Sequence, residues 1–466
     1  MLSCSLRHNN VIDYICQRGN GSLKGVSIVK SKKTKYLAGF TALSFSLSSI
    51  AFATQASAAP VNITFSMGTG VDQVCWAKFI TADWKDPKYK FKISNSTGAD
   101  IKDQTAIASG GGPDIIYSAG PSVTLKYAKA GQIVDLGKYS KQYGWDKAFA
   151  PWALSLGSYK GKVYSLQGET EAMVMFYNKT VMDKLKLKQP TTIAELQTTV
   201  TAIKAAGLNP FTGGNVEWKG VNEWFISALF NAVAGPDAVY AALTGKKSWT
   251  DPAFLEAVKL ITDWQQKGHL SGGVDRFYTL KFDEFLANWG TGKAVMNMEG
   301  SWRFGSASQY FKDTGNDWSW GSFPTKNGKS VYSIGVGSSW AINKNSKNQD
   351  GAAKALAYMF DKKTQGALAT KCGLAPAPIA ITAKELKGID PRQIDFLVKM
   401  DAAAKSGNFG YLTWAFWPPK TEQYIITEIE KVWNNNMTPE EYLAGMDKLF
   451  QTELKAGDVP PIPGRK

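Results

Sequence analysis

The sequence predicts an α/β fold with a largely parallel sheet, and two observations carry that prediction. Residues 61–66 alternate apolar and polar side chains as a strand does, and strand and helix patterns then alternate through residue 130 with short Gly and Pro turns between them. Large apolar side chains are spread along all 466 residues, of which 44% are hydrophobic. The chain is therefore long enough for two or three domains and is not disordered.

The other elements are predicted in order from the same two periodicities. Strands are expected at 61–66, 89–93, 113–117, 162–166, 171–178, 294–298, 318–323, 331–334 and 339–342. Helices are expected at 72–84, 100–108, 123–130, 192–206, 224–233, 251–267, 282–288, 349–360, 421–434 and 439–454. The last helix has the clearest start, because Thr438 suits the N-cap, Pro439 suits the first turn, and two glutamates follow.

The N-terminal region has the pattern of an export signal. Basic residues at 30–35 precede an apolar run from Tyr36 to Ala53, and the small residues 56–58 follow at once. We expect cleavage after Ala58 and a location in the periplasm. Residues 1–58 would then comprise the signal and an upstream extension, with translation starting near Val26. A single anchoring helix is the alternative.

Charge and cysteine content narrow the function classes. The formal net charge is +15, of which residues 1–59 carry +6 because Asp13 is their one acidic residue, and no basic cluster interleaved with aromatics follows. We therefore expect no nucleic-acid partner. Cys75 and Cys372 remain after cleavage and enter an oxidising compartment, where one disulfide is an option that spacing alone leaves open.

The chain lacks the residues that most enzyme classes need. His269 is the one histidine beyond the predicted cleavage site, and it follows a predicted helix end. A zinc site, a Ser-His-Asp site and a phosphate-binding loop all lack their residues, so we expect no metal, no cofactor and no catalysis. A glycosidase that uses two carboxylates stays open, because Asp and Glu are plentiful.

Several short motifs occur in an order that resembles a known family. They are 109–117 (Ser-Gly-Gly-Gly-Pro-Asp-Ile-Ile-Tyr), 161–164 (Gly-Lys-Val-Tyr), 175–179 (Met-Phe-Tyr-Asn-Lys), 292–302 (Gly-Lys-Ala through Gly-Ser-Trp) and 438–442 (Thr-Pro-Glu-Glu-Tyr). Each motif is weak alone, but their order and spacing over 61–455 resemble the extracellular solute-binding proteins of ABC importers. The resemblance is to the carbohydrate-type group that includes maltose-binding protein.

This resemblance implies two α/β lobes joined by a hinge, with the ligand clamped in the cleft between them. Lobe one would comprise 60–167 plus 338–408, and lobe two 169–336 plus 412–457. The expected partners are a small-molecule sugar and the membrane permease of an importer, and the chain is expected to be a monomer.

A sugar site needs carboxylates and amides for the hydroxyls and flat aromatic rings for the C–H faces. The resemblance implies stacking by Trp302, a ligand contact at Glu171 near the hinge, and stacking by Trp414 or Trp417 at the last lobe crossing. The further candidates are Trp218, Trp224, Asp72, Trp340 and Asp114. Core packing is the alternative for the tryptophans, a surface ion pair for Glu171, and a structural turn for Asp114.

One segment departs from the family. In maltose-binding protein the residues after the Pro-Asp-Ile strand contact the sugar, whereas residues 118–122 read Ser-Ala-Gly-Pro-Ser here. The resemblance therefore implies a sugar other than a maltodextrin. A binding protein for a polyamine or a phosphate ester is the alternative, and Arg303 is the residue that a phosphate ester would use.

Overall fold

The structure is a computed structural model, and it describes residues 3–5, 15–17, 59–96, 98–381 and 384–464. The chain divides into one unit up to Ser57 and a second from Ala58 to Lys466. In the first unit, strands β1 (Ser3–Ser5) and β2 (Ile15–Gln17) pair antiparallel. The predicted export signal and its cleavage site lie outside the described residues.

The second unit alternates strands and helices along its length. Its strands are β3 (Val61–Met67), β4 (Tyr89–Asn95), β5 (Ile115–Ser118), β6 (Ser158–Tyr159), β7 (Lys162–Val163), β8 (Ser165–Gln167), β9 (Thr170–Asn178), β10 (Asn209–Thr212), β11 (Ala294–Gly300), β12 (Trp318–Ser322), β13 (Tyr332–Val336), β14 (Ser339–Ile342) and β15 (Phe409–Tyr411). Each strand predicted from the sequence is present within a few residues, and β6, β10 and β15 are additional.

Helices connect these strands. They are α1 (Val71–Asp83), α2 (Ala99–Ala108), α3 (Pro121–Lys129), α4 (Gly137–Tyr143), α5 (Trp145–Ala148), α6 (Pro151–Leu156), α7 (Lys179–Lys184), α8 (Ile193–Ala205), α9 (Val221–Leu229), α10 (Pro236–Leu243), α11 (Pro252–Gln266), α12 (Val274–Phe277), α13 (Phe282–Gly290), α14 (Phe304–Phe311), α15 (Gln349–Met359), α16 (Lys362–Cys372), α17 (Pro391–Ser406), α18 (Pro419–Trp433) and α19 (Pro439–Lys455). The predicted start of the last helix is confirmed, because the Thr438 side chain accepts from the Glu441 N–H at 3.1 Å.

Four apolar clusters fall into two groups, one on each of two sets of strands, and we call each group with its strands a lobe. Lobe one is built on the β3–β4 pair and the β5–β14–β8 sheet, around Ile63, Trp340 and Leu356. Lobe two is built on a six-stranded sheet in the order β10–β11–β9–β13–β15, with β12 also paired to β9. The predicted two-lobe α/β architecture is therefore present.

The largely parallel sheet predicted from residues 61–130 is confirmed for the β3–β4 pair, but β14 runs antiparallel to β5 and β8. The sheet of lobe two is mixed as well. Strand β9 runs antiparallel to β11, β12 and β13, whereas β10–β11 and β13–β15 are parallel pairs. The reason is the direction in which each strand runs relative to the hinge. Strand β9 starts at the hinge and runs away from it, whereas β11 runs toward the hinge and ends at Gly300.

The lobes are joined at paired crossing segments. The Gly168 N–H donates to the Ser338 carbonyl and the Gly337 N–H donates to the Glu169 carbonyl, both at 2.8 Å. These two bonds place Glu169 and Ser338 side by side at the hinge. Within lobe two, the Leu412 N–H donates to the Ile334 carbonyl at 3.2 Å and joins the segment after β15 to β13.

Helix α17 packs differently from the sequence prediction. Its Phe396 stacks on Phe304 at a ring distance of 5.1 Å and meets Trp320 edge-on at 5.6 Å, both within the apolar cluster of lobe two. The sequence prediction assigned residues up to 408 to lobe one. The cluster instead associates α17 with lobe two, and the other predicted boundaries stay predictions.

Cys75 and Cys372 form a disulfide, which settles the option that the sequence left open. Their Cα atoms are 5.6 Å apart and 297 residues separate them in the chain. The bond ties α1, which follows the first strand of lobe one, to the end of α16. It therefore fixes the end of α16 beside α1.

Within the described ranges, no single helix is long and apolar enough to cross a membrane. Only a strongly bent pair, Val221–Ala234 with Pro236–Leu243, meets that length and composition test together.

Candidate functional site

Side chains from both lobes converge at the hinge end of the cleft. Asp72 and Gln73 lie in the first turn of α1, directly after strand β3, and Tyr117 lies near the end of β5. Glu169 and Glu171 flank the start of β9 with one residue between them. Because side chains alternate along an extended strand, the two glutamates point to the same side.

A chain of contacts connects these polar groups. The Gln73 amide donates to the Tyr117 hydroxyl at 3.1 Å, and the Tyr117 ring meets the Trp340 ring edge-on at 4.9 Å. The Trp340 indole N–H donates to Ser338 Oγ at 2.9 Å, and that hydroxyl donates to Glu169 Oε2 at 2.5 Å. Lobe one is therefore connected to the hinge glutamates without a gap.

Glu171 is the least satisfied of these groups. It is 7% exposed, and its carboxylate packs on Gly337 so closely that a Cβ there would lie 2.4 Å from Glu171 Cδ. Among the residues that the structure describes, no donor bonds this carboxylate. Its oxygens are not among the fully enclosed unpaired atoms of the described residues, so a donor that enters from solvent can reach them.

The electrostatics agree with this geometry. Burial raises the pKa of Glu171 well above its ordinary value, and the charges of Glu169 and Asp72 raise it further. Burial likewise raises the pKa of Glu169, which the Ser338 hydrogen bond partly offsets. Burial raises the pKa of Asp72 as well, against the opposing charge of Arg303. The three acidic groups are thus close enough to affect one another, and we call Asp72, Glu169 and Glu171 the acidic face.

Lobe two contributes a fixed tryptophan. The Trp302 indole N–H donates to Glu299 Oε1 at 3.0 Å, and the Trp302 ring lies over Gly300. Glu299 is fully buried and also accepts from Asn297 at 2.8 Å. The carboxylate therefore holds the indole in one orientation.

The Glu299 carboxylate also pairs with Arg303. The guanidinium donates through Nε to Glu299 Oε2 at 2.9 Å and through a terminal nitrogen to Oε1 at 2.6 Å, and it also bonds Ser306 Oγ at 2.7 Å. This charged pair raises the pKa of Arg303 above its ordinary range, although burial opposes that shift. The guanidinium of Arg303 is therefore already paired within the protein.

Four of the predicted tryptophans lie in contact as one row. Ring centres are 5.5 Å apart from Trp218 to Trp224, 4.9 Å from Trp224 to Trp302, and 6.0 Å from Trp302 to Trp414. Trp218 at one end is 43% exposed. Helix α9 begins at Val221, so Trp224 lies inside its first turns rather than in a preceding loop. We call Trp218, Trp224, Trp302 and Trp414 the tryptophan row.

Three predicted residues, Trp417, Trp340 and Asp114, are bonded or packed within the protein instead of facing the cleft. Trp417 is fully buried against Trp249 and Phe450, and its indole bonds Glu223 at 2.7 Å. Trp340 is also fully buried, although it supports Ser338 as described above. Their positions match the core-packing alternative.

Asp114 forms a structural junction. It accepts from the Thr64 N–H at 2.9 Å, from Thr64 Oγ1 at 2.7 Å and from Ser346 Oγ at 2.6 Å. These bonds connect β3, the start of β5 and the segment after β14, as the turn alternative expects.

Several residues of this region are not among those predicted from the sequence. Glu169 has a visible signal, because it precedes Glu171 by two positions and therefore shares its side of the strand. Gln73, Tyr117 and Glu299 have none, since only the fold brings them beside Asp72, Trp340 and Trp302. His269 lies where predicted, at the end of α11, with its N–H bonded to the Trp264 carbonyl at 2.8 Å.

Comparison with known proteins gives the family. The sequence profile described as bacterial extracellular solute-binding protein matches residues 73–366. A probable sugar-binding periplasmic protein of Mesorhizobium japonicum is 25% identical over 228 residues, which are 48% of this chain and 53% of that protein. The chain thus aligns with about half the length of the curated relatives it matches.

Solved structures share the fold. A chitin oligosaccharide binding protein superposes with a TM-score of 0.71 at 22% identity, over 84% of this chain and 98% of that one. An ABC transporter solute-binding protein from Thermotoga lettingae, bound with α-D-tagatose, gives 0.70 at 18% identity over 84% and 100%. These identities support the two-lobe fold and nothing finer. Because the family profile covers well over half of the chain, this protein belongs to the bacterial extracellular solute-binding protein family.

Proposed function

We propose that the protein is the periplasmic sugar-binding component of an ABC importer. The observation that carries the proposal is the tryptophan row beside the acidic face, at the strand ends of two hinged lobes. Aromatic faces suit the C–H faces of a sugar ring, and carboxylates and amides suit its hydroxyls. The printed name of the Mesorhizobium japonicum relative, a probable sugar-binding periplasmic protein, supports the same function.

Binding would proceed by lobe closure without catalysis. Closure on the sugar would remove water from the acidic face and bring Trp302 of lobe two toward Asp72 of lobe one. The closed form would present a joint surface of both lobes to the membrane permease, as hinge closure around a ligand does in general. The protein would act as a monomer that delivers an intact mono- or oligosaccharide.

The site residues that we propose are those of the tryptophan row and the acidic face. Trp302 and Glu171 are the central contacts, and Gln73 and Tyr117 are additions from the geometry. The remaining predicted residues, Trp417, Trp340 and Asp114, would act as supports, because each is already bonded within the protein.

Export would follow from the N-terminal pattern. We propose that the signal is cleaved near Ala58, so that the mature chain begins just before strand β3. The disulfide between Cys75 and Cys372 suits an oxidising compartment such as the periplasm.

A phosphate ester is the less favoured ligand. An anionic ligand needs an available cation, and Arg303 already pairs with Glu299. Three carboxylates would also repel the ligand. A polyamine and a glycosidase reaction are the remaining alternatives, and one experiment separates them.

The test is a thermal-shift screen of the mature chain against neutral sugars, amino sugars, polyamines and phosphate esters. A ligand at one hundred times its Kd raises stability by about 2.7 kcal/mol, which shifts the melting temperature measurably. We expect a shift with one sugar class and recovery of the sugar intact. Cleaved sugar would indicate a glycosidase, and a shift with phosphate esters or polyamines alone would contradict sugar binding.

A further inference from the structure

The acidic face has more carboxylates than a neutral sugar needs at one place. Asp72, Glu169 and Glu171 lie near the hinge, and Arg303, whose charge acts on Asp72, is held by a fourth carboxylate, Glu299. Among the described residues, none of the three carboxylates of the acidic face takes part in a salt bridge. Burial and then the neighbouring carboxylates raise the pKa of Glu171 and of Glu169, so an ionised acidic face needs a cation beside it.

Hydrogen-bond capacity points the same way. Ionised carboxylates only accept hydrogen bonds, and Glu171 accepts none within the described part of the chain, although it is 7% exposed. A sugar hydroxyl donates one hydrogen and would satisfy one carboxylate. A protonated amino group donates three hydrogens and also brings the missing positive charge.

The local backbone makes room for such a group from one side only. Glu171 lies against Gly337, and a Cβ added to Gly168 would lie 1.9 Å from Ser338 Oγ. Ser338 is in turn bonded to Glu169 and Trp340. The hinge side of the acidic face is thus closed by backbone and bonded side chains, and the Glu171 carboxylate lies flat on Gly337.

We infer that the ligand is an amino sugar whose protonated amine binds between Glu171, Glu169 and Asp72. This inference rests on the proposed function and narrows its ligand class. The tryptophan row would take the sugar faces, and the acidic face would select sugars with an ammonium group over neutral sugars of the same stereochemistry.

The test compares matched pairs by isothermal titration of the mature chain. The pairs are glucosamine with glucose, galactosamine with galactose, mannosamine with mannose, and the β-1,4 dimer of glucosamine with cellobiose and with its N-acetylated form. We expect the best-bound sugar to carry a free amine and to bind about thirtyfold more tightly than its neutral partner, as for a desolvated charge pair.

Two isosteric variants assign the preference to the acidic face. Glu171→Gln keeps the shape of the side chain and removes its charge, so it should lower the affinity for the amino sugar about tenfold more than the affinity for its neutral partner. Glu169→Gln should have the same direction of effect. Glu256→Gln is the matched control, because it removes one charge from an exposed ion pair with Lys326 on α11.

The outcomes separate the inference from the function beneath it. A neutral sugar that binds as tightly as its amine partner, or an unchanged preference in Glu171→Gln, overturns the amino-sugar inference and leaves sugar binding standing. If spermidine binds and no sugar does, the proposed function itself is overturned. The same holds if no member of the panel binds.

Discussion

Glu299 Oε1 accepts the indole N–H of Trp302 at 3.0 Å, three residues further along the chain. The carboxylate is fully buried and is shared with Arg303 and Asn297, so its own position is fixed. Trp302 is thus a preset surface in the middle of the tryptophan row rather than a side chain that must be ordered on binding. Preorganisation of this kind lowers the entropic cost of binding a ligand.

Removal of the Trp302 ring should therefore weaken binding strongly. Trp302→Ala should lower sugar affinity by about thirtyfold, the effect of losing a central aromatic contact. Trp302→Phe keeps a ring but loses the N–H donor, so its affinity should fall between the two. Titration calorimetry measures both. Trp84→Phe, in lobe one against Tyr358, is the control and should bind as the parent does. Equal affinity of Trp302→Ala and the parent would remove Trp302 from the site.

Closure should depend on a glycine pair that bridges the lobes. Gly305 is the second residue of α14 of lobe two, and a Cβ there would lie 2.1 Å from Gly373 Cα, at the end of α16 of lobe one. Because the added methyl would overlap backbone in this arrangement, Gly305→Ala should hold the two lobes further apart and lower sugar affinity by about tenfold. Small-angle scattering with saturating sugar should show incomplete closure.

Gly111→Ala is the matched control for this variant, since its new Cβ would only approach the Ala106 carbonyl at 3.5 Å. Unchanged affinity in Gly305→Ala would show that the glycine contact does not accompany closure.

The disulfide should contribute to the stability of the mature chain. Replacing both Cys75 and Cys372 with serine should lower the free energy of unfolding by about 2 to 5 kcal/mol, because the bond closes a long loop in the unfolded chain. Urea unfolding of the parent with and without a reductant should show the same difference. A reductant effect of equal size in the double variant would contradict this assignment.

Stability should also depend on pH through Glu223. Its Oε1 accepts from Thr413 and Trp417, each at 2.7 Å, while its buried Oε2 has no partner among the described residues. Burial raises the pKa of Glu223 well above its ordinary value, and the two hydrogen bonds offset part of that rise. The folded state therefore holds this proton more tightly than the unfolded chain does.

The sign follows directly. The contribution of Glu223 is complete below the unfolded pKa of about 4.3 and is lost as pH rises toward the raised folded pKa. Glu223→Gln should thus gain stability relative to the parent as pH increases, in urea unfolding between about pH 5 and 8. Glu453→Gln should instead lose stability, because both Glu453 oxygens already accept hydrogen bonds from residues 420 and 421. A difference that is independent of pH would contradict the role of Glu223.

Much of the fold follows from local patterns in the chain. Strand β3 shows alternation, α19 shows a complete capping box, and the segment from Gly292 to Trp302 carries its turn, strand and ring in order. The short strands β10 and β15 carry too few residues for a periodic signal. The helix α17 has a clear start at Asp390, but nothing local states which lobe it packs on.

In the candidate site, too, some residues could be predicted from the sequence, whereas the placement of others depends on tertiary packing. Trp302 and Trp414 could be named as candidates because the family resemblance implies stacking there, and Trp218 and Trp224 because aromatic rings suit the faces of a sugar. Their contact with one another, and the burial of Trp340 and Trp417, depend on tertiary packing that a single sequence does not encode locally. The pairing of Arg303 with Glu299 is visible as a four-residue spacing, but its burial is not.

Binding in a single cleft without catalysis is tested most directly by a calorimetric titration of the mature chain with the sugar that stabilises it most. Mass spectrometry then identifies the ligand recovered from the calorimeter's sample cell. We expect one sugar bound per chain and the same sugar, chemically intact, after release. A stoichiometry other than one, or a ligand returned in cleaved form, would contradict a single cleft that binds without chemistry.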